Sequence, residues 1–256
     1  MDKCTGIILA GGKSSRMGRD KVLLPWRGAR LVDYVAGVLR EAGITDIHVS
    51  GEVEGYSGIP DMLMHQGPVA AIASVVLSSQ MQRNEAENTF LFVPVDMPFL
   101  EASLLEKLLC ASGDGDAVCF EARPLPLLLR VNPEVKRILE SAVEAMKRGN
   151  SFPVKLLLRA FNRAEVDSPL LAAYCHPSAR WDPEHRVRDA GSVLSCAADA
   201  ALLDTSFRWY DNNTPSLGAG WFKTRELVVT AEAEQALRNT NTPSEWEEAA
   251  RESAHQ

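Results

Sequence analysis

Apolar residues along the first part of this chain come in two rhythms, short solid runs and longer stretches at helical spacing. Thr5 to Ala10 (TGIILA) is a solid run that ends in glycines, the pattern of a strand buried on both faces. From Ala29 onward, Leu31, Val35, Val38 and Leu39 recur at helical spacing, and Gly43 closes the segment as a helix end. Asp46 to Ser50 (DIHVS) returns to strand character. Pro68 to Gln82 is a small-residue helix with Pro68 in its first turn, where a missing N–H costs nothing. Thr89 to Val95 (TFLFVPV) is aromatic and β-branched and predicts a strand, with Pro94 arguing against a central place in the sheet. Leu100 to Leu109 reads as helix, Asp116 to Phe120 and Leu127 to Val131 as strands, and Pro133 to Lys147 as helix. Strand and helix thus alternate through roughly the first 150 residues, which predicts an α/β fold, a mostly parallel sheet in a three-layer α/β/α arrangement.

After Asp167 the alternation dissolves. Residues 168–220 mix Pro, Gly, Ser, Asp and Trp, with one helix-like apolar stretch at Val193 to Leu203. The expected organisation is a core over 1–167, an extra region over 168–230, and a C-terminal segment with a helix over 231–256. Two short segments echo each other, Asn212 to Ser216 and Thr240 to Ser244. The second reads as a capping box, with Thr242 at the N-cap, Pro243 in the first turn and Glu245 reaching back. The first lacks the glutamate and runs into Gly218 and Gly220, which suits a turn.

Composition narrows the function. The 256 residues are 46% hydrophobic and carry a formal charge of -7, so the chain can bury a core and offers no electrostatic footprint for nucleic acid or an anionic membrane. No segment is long enough to span a bilayer, and the apolar run after Thr5 is too short for a secretory signal. Five cysteines (Cys4, Cys110, Cys119, Cys175 and Cys196) without a CxxC pair read as reduced thiols, and a cytoplasmic protein is expected. Cys175, His176, His185 and Cys196 match no zinc module. His48, in a strand, reads as a satisfied structural histidine. Trp181, Trp209, Trp221 and Trp246 read as packing residues.

The chemistry gathers in LAGGKSSRMGRDK, Leu9 to Lys21, directly after the first strand. Gly11 and Gly12 can turn backbone N–H groups toward an anion with no Cβ in the way. Ser14, Ser15, Arg16 and Lys21 add hydroxyls and cations suited to a triphosphate, with its about four negative charges. The spacing is neither a P-loop nor a dinucleotide fingerprint. The plain alternative is a glycine turn with solvated basic residues. Asp96, in VPVDMPFL, stands at the carboxyl end of a strand, the edge at which open α/β sheets bind ligands. It could hold Mg²⁺ against phosphates or could cap the following helix.

These segments resemble the molybdenum cofactor guanylyltransferase family. LAGGKSSRMGRDK with LLPWRG is similar to its N-terminal signature. GPVAAIAS (Gly67 to Ser74) resembles its Gly-Pro-Leu-Ala-Gly segment, VDMPF its Asp-x-Pro metal site, and NTNTPSEW (Asn239 to Trp246) its Asn-x-Asn-Thr-Pro. The resemblance implies a GT-A-like, Rossmann-like nucleotidyltransferase fold and transfer of GMP from GTP to the phosphate of molybdopterin. It places Leu9, Ala10, Gly11 and Gly12 on the nucleotide with Gly67 and Pro68. Lys21 and Arg16 fall on its phosphates, and Asp96 on Mg²⁺. Asp61 stands near the family's guanine-side aspartate, and is otherwise a loop Asp. Asn239 or Asn241 would line the crevice. The double glycine resembles guanylyl rather than cytidylyl enzymes.

The chain departs from the family at Ala71, where glycine is usual, at Asn150-Ser151, where a basic residue is common, and in the 168–230 region. Two rivals remain. One is a cytidylyl or sugar-phosphate nucleotidyltransferase, the other a nucleotide-binding protein without turnover. An acceptor phosphate is already ionised at neutral pH and needs no general base, which suits a sequence with no obvious catalytic histidine.

Overall fold

The computed structural model describes residues 4–11, 20–78, 88–111, 116–161, 209–211 and 224–253. In chain order the elements are β1 (Cys4–Leu9), the hairpin strands β2 (Pro25–Trp26) and β3 (Ala29–Arg30), α1 (Leu31–Glu41), β4 (Ile47–Ser50) and β5 (Ser57–Ile59). There follow α2 (Pro68–Leu77), β6 (Asn88–Pro94), α3 (Ala102–Cys110), β7 (Ala117–Phe120), β8 (Arg123–Val131), α4 (Pro133–Lys147) and α5 (Val154–Phe161). The described chain closes with β9 (Trp209–Asp211), β10 (Thr224–Leu227), α6 (Ala231–Ala236) and α7 (Pro243–Ser253).

Eight strands form one sheet in the order β5-β4-β1-β6-β8-β7-β10-β9. β5, β4, β1 and β6 run parallel, as do β7 and β10, while β8 lies antiparallel between β6 and β7. β9 pairs antiparallel at the far edge. Alternate side chains of the central strands enter opposite cores. Ile7, Leu9, Phe90 and Phe92 pack with α2, α4 and α5. Ile8, Leu91 and Val93 pack with α1, α3, α6 and α7. Burial on both faces is the reason these strands read as unbroken apolar runs. The three-layer, mostly parallel α/β sheet is as the sequence pattern predicts.

Several details differ. Pro94 does sit on a central strand, because its missing N–H falls where nothing would receive it. Val95 N–H donates to the Leu9 carbonyl, so by the two-residue alternation Pro94 N faces β8, whose pairing has already ended at Phe92 and Leu127. The helix expected over Pro68 to Gln82 ends at Leu77, where the Ser78 backbone turns extended and its N–H closes on Val75 O. The helix expected from Leu100 begins at Ala102, because the Leu100 N–H closes a turn on Met97 O. α5 was not anticipated, although Val154, Leu157, Leu158 and Phe161 bury one face at helical spacing. β9 and β10 fall inside the segment expected as an extra region, and both join the main sheet.

His48 is satisfied on one side only. Its Nε2 lies 3.1 Å from Asp46 Oδ1, while Nδ1 is buried without a hydrogen-bond partner. Cys4, Cys110 and Cys119 are free thiols, and burial pushes Cys4 and Cys119 up to about 12. Among the described residues no helix is long and apolar enough to cross a membrane. The candidate zinc residues Cys175, His176, His185 and Cys196 lie outside the described residues, as does the Val193 to Leu203 stretch.

Candidate active site

Three parallel strands end side by side. Leu9, the last residue of β1, pairs with Ser50 of β4 on one flank and Pro94 of β6 on the other. The chain after each strand end therefore meets the others at one edge of the sheet. Two clusters of polar groups form there, one on each flank of β1.

On the β6 flank stands Asp96, two residues past Pro94. It does not cap the next helix, whose N-cap is Glu101, and Met97 to Leu100 intervene as a turn. Lys21 opens a single 3-10 turn (Lys21–Leu23) that is capped by Asp20, whose side chain accepts the Val22 N–H at 3.2 Å. This turn directs Lys21 at the carboxylate, with Nζ 3.3 Å from Asp96 Oδ2. The same ammonium donates to the Thr240 carbonyl at 3.0 Å and to Asn241 Oδ1 at 2.9 Å. Its three protons thus meet three acceptors. Burial raises the Asp96 carboxyl above its usual range, against the opposing pull of Lys21, so the ionised form is held at a cost.

The segment carrying Thr240 and Asn241 is itself pinned. Thr240 N–H donates to the Asp96 carbonyl at 2.9 Å. Beyond it the capping box forms as the spacing predicts. Glu245 Oε2 accepts the N–H groups of Asn241 at 2.6 Å and Thr242 at 3.0 Å, and Glu245 N–H returns to Thr242 Oγ1 at 3.3 Å. Trp246 in the first turn of α7 packs on Trp26 of the β2–β3 hairpin with ring centroids 5.3 Å apart, and Trp26 meets Phe99 at 5.4 Å. Asn239 Oδ1 is buried without a hydrogen-bond partner.

On the β4 flank, Ala10 N–H donates to Ser50 Oγ at 3.2 Å, which sets the turn out of β1. Gly11 follows, and a Cβ there would lie 3.0 Å from Asp61 Oδ2 and 3.8 Å from Ser50 Oγ. Asp61 is half-buried, its Oδ1 is enclosed without a hydrogen-bond partner, and burial raises its carboxyl against the opposing influence of His65. The loop after it is tied down by Met62 N–H on Ser74 Oγ at 2.8 Å, with Ser74 itself donating to Ala70 O at 2.7 Å. Gly67 takes φ 86° as the N-cap of α2, a left-handed angle that favours glycine, and Pro68 opens the helix.

Lys21 and Asp96 are thus brought into contact, and Gly11 and Asp61 into another, while Leu9 and Ala10 lie between. Gly67 and Pro68 sit at the end of the Asp61 loop. Gly12 and Arg16 lie outside the described residues, as do Ser14, Ser15 and Asn213. Sequence reasoning missed Ser50 and the Thr240 carbonyl. Ser50 carried a signal, since it ends a strand at the same edge as Asp96. The Thr240 carbonyl carried none, because every residue has one.

A buried strand that runs out into Gly11, with Asp61 on one flank and a lysine–aspartate pair on the other at the carboxyl edge of a doubly covered sheet, is the architecture of a nucleotidyltransferase. Residues 6–160 match the MobA-like NTP transferase domain, and the chain belongs to that family. It is 45% identical over 136 residues to the molybdenum cofactor guanylyltransferase of Xanthomonas euvesicatoria pv. vesicatoria (strain 85-10), covering 53% of this chain and 68% of that protein. Two solved structures share the fold. A molybdopterin-guanine dinucleotide biosynthesis protein A from Archaeoglobus fulgidus has a TM-score of 0.55 at 14% identity, covering 98% of this chain and 100% of the other. A nucleotidyl transferase from Methanothermobacter thermautotroptrophicus has a TM-score of 0.56 at 13% identity, covering 100% of this chain and 99% of the other.

Proposed function

We propose that this nucleotidyltransferase transfers GMP from GTP to the phosphate of molybdopterin and releases pyrophosphate. The observation that supports the base preference is Asp61, whose Oδ2 stands 3.0 Å from where a Cβ on Gly11 would lie and whose Oδ1 is enclosed without a hydrogen-bond partner. A carboxylate accepts hydrogen bonds only, and guanine presents two adjacent N–H donors where cytosine presents an acceptor. The name of the Xanthomonas relative supports both the nucleotide and the acceptor.

Asp96 would hold Mg²⁺. The fit is good, because magnesium takes one or two protein carboxylates and completes its octahedron with water and phosphate. Asp96 is such a carboxylate, just past the end of β6 on the edge where Leu9, Ser50 and Pro94 lie side by side. A bound cation would also offset the burial that disfavours the ionised Asp96. When bound, the metal supplies neutralising charge at the phosphates.

The remaining roles fall to the chain. Leu9, Ala10, Gly11 and Gly12 receive the nucleotide together with Gly67 and Pro68, and Lys21 and Arg16 neutralise its phosphates. An acceptor phosphate oxygen forms a bond to the α-phosphorus as the bridging P–O bond breaks, and the electron pair leaves with pyrophosphate. No proton is abstracted, so no general base is needed. The proposed organisation keeps a core over 1–167, an extra region over 168–230 whose β9 and β10 extend the main sheet, and a returning segment over 231–256, in a cytoplasmic protein with neither nucleic acid nor membrane as partner. The test is pyrophosphate release with molybdopterin across GTP, CTP and ATP in MgCl₂. Turnover confined to GTP is expected. A CTP preference, acceptance of a sugar phosphate instead, or binding without turnover would each replace this reading.

A further inference from the structure

We propose that Glu245 is a positioning residue that sets the phosphate-binding lysine through the turn at 240–242. The inference rests on the reading that Lys21 meets the nucleotide's phosphates. Two of the three acceptors around Lys21 Nζ, the Thr240 carbonyl and Asn241 Oδ1, belong to this turn. The turn is anchored at one end by Thr240 N–H on the Asp96 carbonyl, 2.9 Å. At the other end Glu245 Oε2 accepts both Asn241 N–H at 2.6 Å and Thr242 N–H at 3.0 Å, while the Thr242 carbonyl receives Trp246 N–H at 3.1 Å as the first bond of the helix.

A single carboxylate oxygen that accepts two successive N–H groups fixes the peptide between them, and with it the direction of the Asn241 side chain. Those two bonds also hold the Glu245 carboxyl below the usual range, so it is charged under working conditions. Glu245 is far more than a helix cap in consequence. The reciprocal bond, Glu245 N–H to Thr242 Oγ1 at 3.3 Å, serves the helix, whereas the carboxylate serves the turn. The two bonds use different atoms and can be separated by substitution.

The experiment titrates GTP in MgCl₂ by calorimetry into wild type, E245A, E245Q, E245D, T242A, K21A and the double variant K21A/E245A. E245A is expected to weaken binding about fivefold, as the loss of two charge-assisted bonds to the turn implies. E245Q keeps an acceptor oxygen at the same reach and stays within about twofold of wild type, while E245D, a methylene shorter, behaves as E245A. E245D also serves if E245A does not fold. T242A lowers the melting temperature but binds GTP as wild type does. On the K21A background, E245A costs nothing further.

Wild-type binding by both E245A and E245D overturns the proposal. An equal loss on the K21A background overturns it too, since Glu245 then acts elsewhere. If T242A loses affinity in step with its melting temperature, helix fraying is the cause and the proposal falls. If E245Q fails as E245A does, charge rather than hydrogen bonding to the turn is at work, and the proposal falls likewise. If K21A itself binds GTP normally, the reading of Lys21 as a phosphate ligand falls instead.

Discussion

The backbone N–H of Thr240 donates to the carbonyl of Asp96 at 2.9 Å, joining residues 144 positions apart. This bond brings the C-terminal segment to the strand end that carries the proposed metal carboxylate, and it lets Lys21 bridge the two. The proposed nucleotide edge therefore combines residues from β1 to β6 with residues 240–242, and substitutions in either segment should register in the same assay.

Asp96→Asn should reduce Mg²⁺-dependent turnover by at least about a hundredfold while the protein stays folded, because an amide is a poor ligand for magnesium. Activity within threefold of wild type would remove the metal role. The same variant has a stability signature. Burial raises the folded carboxyl above its unfolded value, so ionisation favours the unfolded chain, and wild-type stability is lost as pH rises from about 4 through the folded value. The melting temperature of Asp96→Asn relative to wild type should therefore climb over that window. A flat difference between about pH 4 and pH 7.5 would show that Asp96 carries no burial penalty.

Asp61→Asn should weaken GTP about tenfold or more and leave CTP unchanged, since the amide presents a donor where the base needs only acceptors. Competition binding measures both. Gly11→Ala should lower GTP affinity as well, for its Cβ would stand 3.0 Å from Asp61 Oδ2 and push on the same carboxylate. Equal losses for GTP and CTP in Asp61→Asn would place Asp61 away from the base.

Trp246→Ala should cost about 2–3 kcal/mol in urea denaturation, the scale of a large aromatic truncated at a partly buried contact. It removes the ring that meets Trp26 at 5.3 Å and so loosens α7 from the β2–β3 hairpin. Neighbouring bonds should slow its detachment, because Arg238 pairs with Glu252 at 2.7 Å and lies over the Phe99 ring at 4.9 Å. A loss below about 0.5 kcal/mol would mean that the aromatic contact contributes nothing to holding the helix.

Asn241→Ala should weaken GTP binding, whereas Asn213→Ala should leave it unchanged. The Asn241 amide oxygen lies 2.9 Å from Lys21 Nζ, so its removal frees the lysine to move. The opposite result would assign the family element to the earlier Asn-Thr-Pro segment.

Much of this protein could be read locally. Solid apolar runs marked β1 and β6 because both of their faces are buried, and helical spacing marked α1 and α4 because one face is. The capping box at Thr242 and Glu245 was legible because its partners lie three residues apart. Asp96 and the Gly11 turn were legible because strand ends in an open α/β sheet share one edge. What the tertiary structure decided was which distant pieces meet there. Nothing within a short window of Lys21 indicates that its ammonium will bond Asn241, 220 positions away. Nor does the sequence of β9 and β10, set among Pro, Gly, Ser and Asp residues, announce that the two strands extend the main sheet beyond β7. Periodicity and caps are settled by neighbours within a turn or a strand. Sheet order and the partners of a buried ammonium are settled by which unpaired edges and acceptors remain once the core has closed.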